Sequence, residues 1–512
     1  MQTVNQMFID GFSAVMLDPI CFIWVIVGTI VGVIFGSVPG LTATMAIAMF
    51  LPVTYGLTTI QGISLLLALY IGGISGGLIP AILINIPGTP SSIATCFDGV
   101  PLANKGQAGK ALGVGIVYSF IGTILSVAAL VTIAPPLAAV ALKFGPYEYF
   151  SITIFSLTLI ITLASDNMIK GIISGVFGLM LATVGMAPID SMTRYTFGNS
   201  DMRAGFDILV VLVGIYAISE IIATVEQPAD KGTGELRLNK VKIKGFGFSL
   251  KELNSQWRNC LRSAGIGIGL GILPGIGAAT ANIMAYSVAK NNSKYPEKFG
   301  TGIIDGVVAS ETANNACVGG TIIPLLTLGI PGDSTSALLL GALIIQGVTP
   351  GPLIFAQNGD LVYAVYVAMV LSSFAMVAVQ FLGLNWFVKL LKLPKYRLLP
   401  LVFVLCAVGA LGLNNRIFDI LLLLVFGIVG YLLNKGRYPL PPLILGFVLG
   451  PLCELNLRRA LSYSQGELGP FFTQPLSLLF LVCSVLSLVF GVYKARAQRR
   501  RTLVRPEEVL EP

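Results

Sequence analysis

GVIFGSVPGLTAT at residues 32–44 and GIGLGILPGIGAAT at residues 267–280 share one pattern, a glycine-spaced apolar run that a Pro-Gly pair interrupts. A second interruption follows each copy, in PAILINIPGTPS at residues 80–91 and in PLLTLGIPGDST at residues 324–335. Proline removes a backbone donor and glycine tolerates the dihedrals of a restart, so each pair is expected to break a helix. Broken hydrophobic helices in corresponding positions of two halves are typical of secondary transporters that bind their substrate between repeats.

The composition indicates a membrane protein. The 512-residue chain is 55% hydrophobic and only 11% charged, and its recurring apolar runs of about twenty residues are long enough to cross a bilayer as helices. The chain has no histidine, and its seven cysteines are scattered singly, which argues against a metal centre, a disulfide framework and histidine-based catalysis. It also lacks a phosphate-binding loop ending in Gly-Lys-Ser/Thr. We therefore predict an all-α polytopic membrane protein that is not an enzyme, has no cofactor and does not bind nucleic acid.

The duplication extends beyond the two motifs. Asn167 corresponds to Asn415 and Gly178 to Gly427, at offsets of 248 and 249 positions. A polar, basic stretch separates the halves, and one further apolar span precedes a basic C-terminus. We predict a first transmembrane repeat, a cytoplasmic linker, a second transmembrane repeat, and a C-terminal span with a tail, at residues 1–226, 227–258, 259–457 and 458–512, respectively.

The distribution of basic residues predicts the topology. Positive charge in short loops stays cytoplasmic, which places the linker and the C-terminal tail inside. The second repeat then starts inside and ends outside, so it crosses the membrane an odd number of times. Two odd repeats in series are inverted. The first 104 residues contain no lysine or arginine, which favours an N-terminus on the outer side, whereas Arg458 and Arg459 would also lie outside and oppose this scheme.

The Pro-Gly breaks predict an anion site. A helix that restarts offers free N–H groups and about half a positive charge, which favour carboxylates. Hydroxyl residues after each break could cap the new helix and donate to a ligand. The alternative is a set of kinks packed with small residues, which are common in transmembrane helices. The predicted substrate-binding residues are Pro39, Gly40, Thr42, Thr44, Asn85, Pro87, Gly88, Thr89, Ser91, Pro274, Gly275, Thr280, Pro331, Gly332, Ser334 and Thr335.

Polar residues in the second half predict a cation site. A carboxylate inside the membrane costs about 2.5–3.5 kcal/mol, so it usually marks an ion path, a proton relay or a pairing. We predict that Glu311, Asn314, Asn315 and Asp333 bind a coupling ion, either Na⁺ or a proton. A carboxylate simply paired within the bundle is the alternative. Leu67 and Thr89 stand at the positions that match Glu311 and Asp333, so the two halves are not chemically equivalent.

Three longer strings carry a family resemblance: residues 32–55, residues 80–99, and ETANNACVGGTIIPLLTLGIPGDSTSALLLGALIIQGVTPGP at residues 311–352. The chain resembles the large membrane subunit of the bacterial tripartite tricarboxylate transporters over nearly its whole length. Where many members read Pro-Glu-Ala before the paired asparagines, this chain reads Ser-Glu-Thr at residues 310–312. The family's signature segments fall on Gly36 to Thr44, Asn85 to Ser91, Glu311 to Asn315 and Gly329 to Thr335.

The resemblance implies a permease of the bacterial inner membrane that works with a small four-helix membrane subunit and a periplasmic solute-binding protein. It implies uptake of a di- or tricarboxylate, driven by an ion gradient. Drawing a trianion into a cell interior at −100 mV costs about 7 kcal/mol, so co-transported cations must offset that cost. An anion channel and a membrane scaffold for another complex are the alternatives; bilayer currents would identify a channel, and a scaffold has no need of intramembrane carboxylates.

Overall fold

The computed structural model describes residues 4–163, 167–226, 247–390 and 399–504. Most of the predicted linker, residues 227–246, and the end of the predicted tail, residues 505–512, lie outside the described residues. The helices up to the linker are α1 (Val4–Met16), α2 (Pro19–Ser37), α3 (Ala43–Phe50), α4 (Thr59–Gly76), α5 (Leu78–Ile84), α6 (Ile93–Leu102), α7 (Ala108–Ala141), α8 (Pro146–Leu163), α9 (Met168–Ala182), α10 (Ile208–Val213) and α11 (Ser219–Glu226). The helices after it are α12 (Leu250–Ser255), α13 (Trp257–Ile272), α14 (Gly277–Asn291), α15 (Ile304–Leu328), α16 (Ser334–Ile345), α17 (Ile354–Gln357), α18 (Gly359–Leu390), α19 (Leu399–Asn414), α20 (Ile417–Lys435), α21 (Leu440–Tyr463), α22 (Gly469–Thr473) and α23 (Pro475–Val504).

The structure confirms the predicted class, an all-α polytopic membrane protein. Eight helical segments of the described chain are long and apolar enough to cross a bilayer. Helices suit this solvent because they satisfy every backbone donor and acceptor internally. Within the described ranges, β structure is limited to an antiparallel ribbon of β1 (Gly185–Met186) and β2 (Thr193–Arg194), with Gly185 opposite Arg194.

The chain forms two compact units. The first contains residues 1–142 and 208–431, and the second contains residues 143–207 and 432–512. Each unit therefore draws on both predicted repeats. The repeat boundaries and their inverted relation stay predictions.

In the first unit, glycine-spaced helices lie against long helices without intervening side chains. A Cβ atom on Gly32 of α2 would lie 2.5 Å from the Leu69 carbonyl oxygen of α4. A Cβ atom on Gly271 of α13 would likewise lie 2.6 Å from the Cys317 carbonyl oxygen of α15. Small residues let transmembrane helices approach this closely. The glycine spacing that precedes the first break of each half is thus a helix-packing surface.

Helix α15 is the central element of the first unit. It contacts α4, α6, α7, α13 and α14, and it is buried without interruption from Gly306 to Thr327. Because helices cover it on several sides, its polar residues are hidden from both lipid and water. These residues include Glu311, Asn314, Asn315 and Thr321.

The second unit contains α8, α9, α21, α22 and α23 together with the β ribbon. Helices α9 and α21 meet at glycines, because a Cβ atom on Gly178 would overlap the Leu443 carbonyl oxygen. Arg194 of the ribbon forms two hydrogen bonds with the Glu454 carboxylate of α21, the longer of them 3.0 Å. These contacts tie the ribbon to the helices of its own unit.

Candidate functional site

Each of the four Pro-Gly pairs lies where one helix has ended and the next has not begun. They fall between α2 and α3, between α5 and α6, between α13 and α14, and between α15 and α16. The first break of each half has the same backbone conformation, since Gly40 has a φ of 89° and Gly275 a φ of 81°. Glycine adopts this left-handed region at little cost. The predicted interruptions are therefore present, and all four belong to the first unit.

The breaks contact one another in pairs. The Gly275 N–H donates to the Gly332 carbonyl oxygen over 2.7 Å, which joins the two breaks of the second half. In the first half, the Gly36 carbonyl oxygen lies so close to Gly88 that a Cβ atom there would overlap it. A contact between the halves is made by the hydroxyls of Thr44 and Thr335, which lie 2.9 Å apart.

The predicted substrate-binding residues differ in accessibility. The exposed ones are Asn85, which ends α5 in the left-handed region, and Thr280 on the surface of α14. The partly buried ones are Pro39, Gly40, Thr42, Thr44, Pro87, Gly275 and Ser334. The buried ones are Gly88, Thr89, Ser91, Pro274, Pro331, Gly332 and Thr335.

Thr42 and Thr89, whose hydroxyls were both expected to cap a restarted helix, differ in the structure. Thr42 caps α3 by accepting the Met45 N–H over 3.1 Å. Thr89 makes no capping bond and instead pairs with the Ser91 hydroxyl over 2.9 Å. The first break therefore keeps a capped helix start, whereas the second break has its hydroxyls bonded to each other.

A groove of about 400 Å³ adjoins the second break. Asn85 and Pro87 line it together with one side of α6. The remaining lining residues are Ile93, Cys96, Phe97, Val100 and Pro101. The groove is mainly apolar, and Asn85 contributes a polar side chain to its lining.

Asp333 lies in one cluster of hydrogen-bonded polar residues, near the fourth break. Its carboxylate accepts the Tyr70 hydroxyl over 2.6 Å and the Ser336 N–H over 2.7 Å. The second of these bonds caps α16. The Tyr70 hydroxyl also lies 3.3 Å from the Thr321 hydroxyl of α15. Asp333 thus joins α16 to α4 and also has a capping role.

Glu311 lies in a second cluster of hydrogen-bonded polar residues, in the middle of the first unit. Its carboxylate is fully buried and accepts hydrogen bonds from the hydroxyls of Thr95 on α6 and Ser119 on α7, the latter over 3.0 Å. Among the described residues, no lysine or arginine forms an ion pair with it. A charge buried without a partner is costly, so this site favours a bound cation or a proton.

The paired asparagines follow Glu311 along α15. Asn315 accepts the Ser75 hydroxyl over 2.6 Å, and the Asn314 amide nitrogen lies 3.4 Å from the Ile74 carbonyl oxygen. Within the described chain, the Asn314 side-chain oxygen is buried and has no hydrogen-bond partner. Buried polar atoms are nearly always paired. The orphaned oxygen is therefore available to a ligand beside Glu311.

The four residues predicted to bind the coupling ion fall into two groups. Glu311, Asn314 and Asn315 lie within about one turn of α15, whereas Asp333 bonds to Tyr70 near Thr321. Ten residues separate Glu311 from Thr321, which corresponds to about 15 Å along a helix. The two carboxylates therefore lie in separate hydrogen-bond clusters, and their joint role in coupling stays a prediction.

Three polar residues of the site were not anticipated from sequence. Thr95 and Ser119 bond to Glu311, and Asp98 is completely buried one turn after Thr95. Thr95 and Ser119 carry no distinguishing signal, because hydroxyl residues are frequent in transmembrane helices. Asp98 does carry one, since an acid inside an apolar segment is costly and rare.

Comparisons of the sequence with known proteins identify relatives of this chain. The sequence pattern that defines the "Tripartite tricarboxylate transporter TctA family" matches residues 22–445. An Agrobacterium vitis protein described as "Uncharacterized 52.8 kDa protein in TAR-I ttuC' 3'region" is 36% identical over 495 residues, covering 96% of this chain and 97% of that protein. A second A. vitis protein, "Uncharacterized protein in TAR-II ttuC' 3'region", is 40% identical over 233 residues, covering 45% of this chain and 96% of its own length. No solved structure matches the chain.

Proposed function

Since this chain belongs to the tripartite tricarboxylate transporter TctA family, we propose that it imports a di- or tricarboxylate in symport with Na⁺ or protons. Membership makes it a transporter large subunit and not an enzyme. The observation that carries the proposal is the buried Glu311 carboxylate on α15, which lacks a basic partner among the described residues and lies beside the orphaned Asn314 oxygen.

The helix breaks support binding of an organic anion. Two of the restarted helices, α6 and α14, have ten or more residues and begin without a side-chain cap from the described residues, so their aligned peptide dipoles favour a carboxylate at the N-terminus. The N-terminus of α16 already holds the Asp333 carboxylate. The Thr44–Thr335 and Gly275–Gly332 contacts bring together the breaks before α3, α14 and α16. The close approach of the Gly36 carbonyl oxygen to Gly88 adds the break before α6. A substrate bound there would meet backbone N–H groups from both halves.

The buried carboxylate supports cation coupling. Import of a polyanion against a negative interior needs compensating positive charge. Glu311 needs the same compensation when it is ionised, because the hydroxyls of Thr95 and Ser119 that bond to it are neutral. A cation or proton that enters with the substrate meets both needs at once.

The complete transporter is proposed to contain other subunits. The family name describes a tripartite system, and we assign the remaining parts to a small four-helix membrane subunit and a periplasmic solute-binding protein. The location is the bacterial inner membrane, with the C-terminus in the cytoplasm and the N-terminus in the periplasm. This orientation rests on the basic linker and tail.

Uptake into proteoliposomes tests the proposal. The complete transporter, with the subunits that purify with this chain, should take up a carboxylate only when a Na⁺ or proton gradient is imposed. Glu311→Gln should abolish the gradient-dependent accumulation. Glu148→Gln is the matched control, because Glu148 is also a buried carboxylate but, among the described residues, accepts its hydrogen bond from the nearby Gly145 N–H in the second unit.

Two results would contradict the proposal. Unchanged accumulation by Glu311→Gln would remove this residue from coupling. Large, non-saturating anion currents in planar bilayers would identify a channel instead of a symporter.

A further inference from the structure

We propose that Thr95 is the residue through which the coupling ion at Glu311 controls the α5–α6 hairpin tip, residues 85–91. This inference rests on the proposed function, since it assumes that Glu311 binds the coupling ion. Thr95 of α6 would then be part of the coupling mechanism.

The first observation is the direct contact. The Thr95 hydroxyl donates to one Glu311 oxygen, while Ser119 of α7 donates to the other over 3.0 Å. Both donors are fully buried. The Asn282 amide nitrogen of α14 approaches the Thr95 oxygen at 3.5 Å, and the Asn282 oxygen accepts the Ala94 N–H over 2.8 Å. Thr95 is therefore fixed at the junction of α6, α14 and α15.

The second observation is a set of hydrogen bonds accepted by Asp98, one turn further along α6. Asp98 accepts the N–H groups of Gly300, Gly302 and Ile303 over 2.8–3.0 Å with one oxygen, and the Tyr286 hydroxyl over 2.9 Å with the other. These N–H groups lie just before the start of α15, where a negative charge is favoured. Asp98 is thus a positioning residue that holds α6 in register with α15, so that Thr95 faces Glu311.

The third observation is that α6 leads directly to the hairpin tip. Only residues 85–92 separate α5 from α6, and Cys96, the residue after Thr95, lines the groove that also contains Asn85 and Pro87. Ile86 at the tip is 42% exposed. A displacement of α6 at Thr95 would therefore move the tip, whereas a displacement of α7 at Ser119 has no such direct connection.

The hydrogen bond between Thr95 and Glu311 differs between the ion-free and the ion-bound states of Glu311. Thr95 donates its single hydrogen to an ionised, unoccupied Glu311. When a metal cation occupies the carboxylate, the hydroxyl must present its oxygen to the ion and turn its hydrogen away. When a proton neutralises Glu311, the hydrogen bond loses its charge and weakens, because bonds to charged groups are about twice as strong as neutral ones. Either ion therefore changes the attraction between α6 and α15, which is the differential interaction that a ligand-driven switch requires.

Two matched variants separate coupling from simple ion binding. Thr95→Val and Ser119→Ala each remove one hydroxyl donor from the same carboxylate, but on different helices. The readout is the rate at which a maleimide labels Ile86→Cys in the complete transporter, with native cysteines replaced, at increasing Na⁺ or decreasing pH. Thr95→Ser is the conservative variant that should restore the parent behaviour.

In the parent protein, we expect the coupling ion to change the labelling rate at Ile86→Cys severalfold. Ser119→Ala should keep the ion-dependent change but shift its midpoint about tenfold, towards higher pH if the ion is a proton, because it removes a hydrogen bond that stabilises the ionised carboxylate. Thr95→Val should abolish the ion dependence of labelling. It should also lower the ratio of accumulated substrate to imposed gradient.

The outcomes distinguish a failure of the proposed function from a failure of the Thr95 assignment alone. If Glu311→Gln leaves ion-dependent labelling and uptake intact, the proposed function fails at its cation site. If Glu311→Gln abolishes both but Thr95→Val behaves like Ser119→Ala, the assignment of Thr95 alone is wrong. An ion-independent labelling rate in the parent protein would likewise overturn it.

Discussion

The hydroxyl oxygens of Thr44 and Thr335 lie 2.9 Å apart, which joins a residue just after the first break of the first half to one just after the second break of the second half. Within the described part of the chain, neither hydroxyl has another side-chain hydrogen bond that would join these two corners, which are 291 positions apart in sequence. The pair therefore holds α3 against α16 at the point where we place the substrate.

A double-mutant cycle should detect this pairing. Thr44→Val and Thr335→Val each remove the bond, so the double variant should lose less unfolding free energy than the two single variants lose in sum. The coupling energy should be about 0.6 kcal/mol, the average for hydrogen bonds between transmembrane helices. Unfolding free energies from detergent titrations measure it, and strictly additive losses would show that the two hydroxyls do not interact.

Glycines on α13 should differ sharply in their tolerance of alanine. At Gly267 a Cβ atom would overlap the Ala313 carbonyl oxygen of α15, whereas at Gly265 no atom of the described residues would lie within 4 Å of it. Gly267→Ala should therefore destabilise the protein by about 1–3 kcal/mol, as overpacking does. Gly265→Ala should be neutral or stabilise by up to about 1 kcal/mol, since alanine loses less backbone entropy in a helix. Thermal unfolding of both variants in one detergent makes the comparison, and equal melting temperatures would contradict it.

The local chemistry of the breaks was predictable because proline and glycine act on their own backbone. Gly40 and Gly275 share a left-handed conformation that the repeated Pro-Gly spelling already indicated. The environment of Glu311 was not predictable, because its partners Thr95 and Ser119 are about 200 positions away in sequence. Grouping Asp333 with Glu311 was a reasonable prediction from composition, and the structure places the two in separate hydrogen-bond groups.

Acidification should remove the contribution of Glu252 to stability. The Lys110 ammonium, followed by the Ser249 N–H, lowers the pKa of this carboxyl below its ordinary value. A lowered pKa stabilises the folded state above the unfolded pKa of about 4.3, and this stabilisation is lost as the pH falls through the folded value. Both side chains are about one-third exposed, so the gain at neutral pH should not exceed about 1 kcal/mol.

Glu252→Gln tests this pH dependence. The variant should melt below the parent protein at pH 7, and the two melting temperatures should converge as the pH approaches 3. The difference at pH 7 should also shrink in 1 M salt, where the Debye length is about 3 Å. A difference that is constant with pH would mean that Glu252 contributes through its capping of α12 and not through its charge.

Asp333 has a structural role and a proposed role in ion coupling, and two substitutions can separate them. It caps α16 through the Ser336 N–H and accepts the Tyr70 hydroxyl. Asparagine is as good a cap as aspartate, whereas alanine costs about 1 kcal/mol. The free energy of unfolding of Asp333→Asn should therefore be close to that of the parent protein, and that of Asp333→Ala about 1 kcal/mol lower. Both variants should lose gradient-driven uptake, because the charge is gone.

Tyr70→Phe keeps that charge and the cap, so it should retain uptake with an altered ion requirement. Normal uptake by Asp333→Asn would show that Asp333 serves only to begin α16, and it would leave Glu311 as the one carboxylate proposed for coupling.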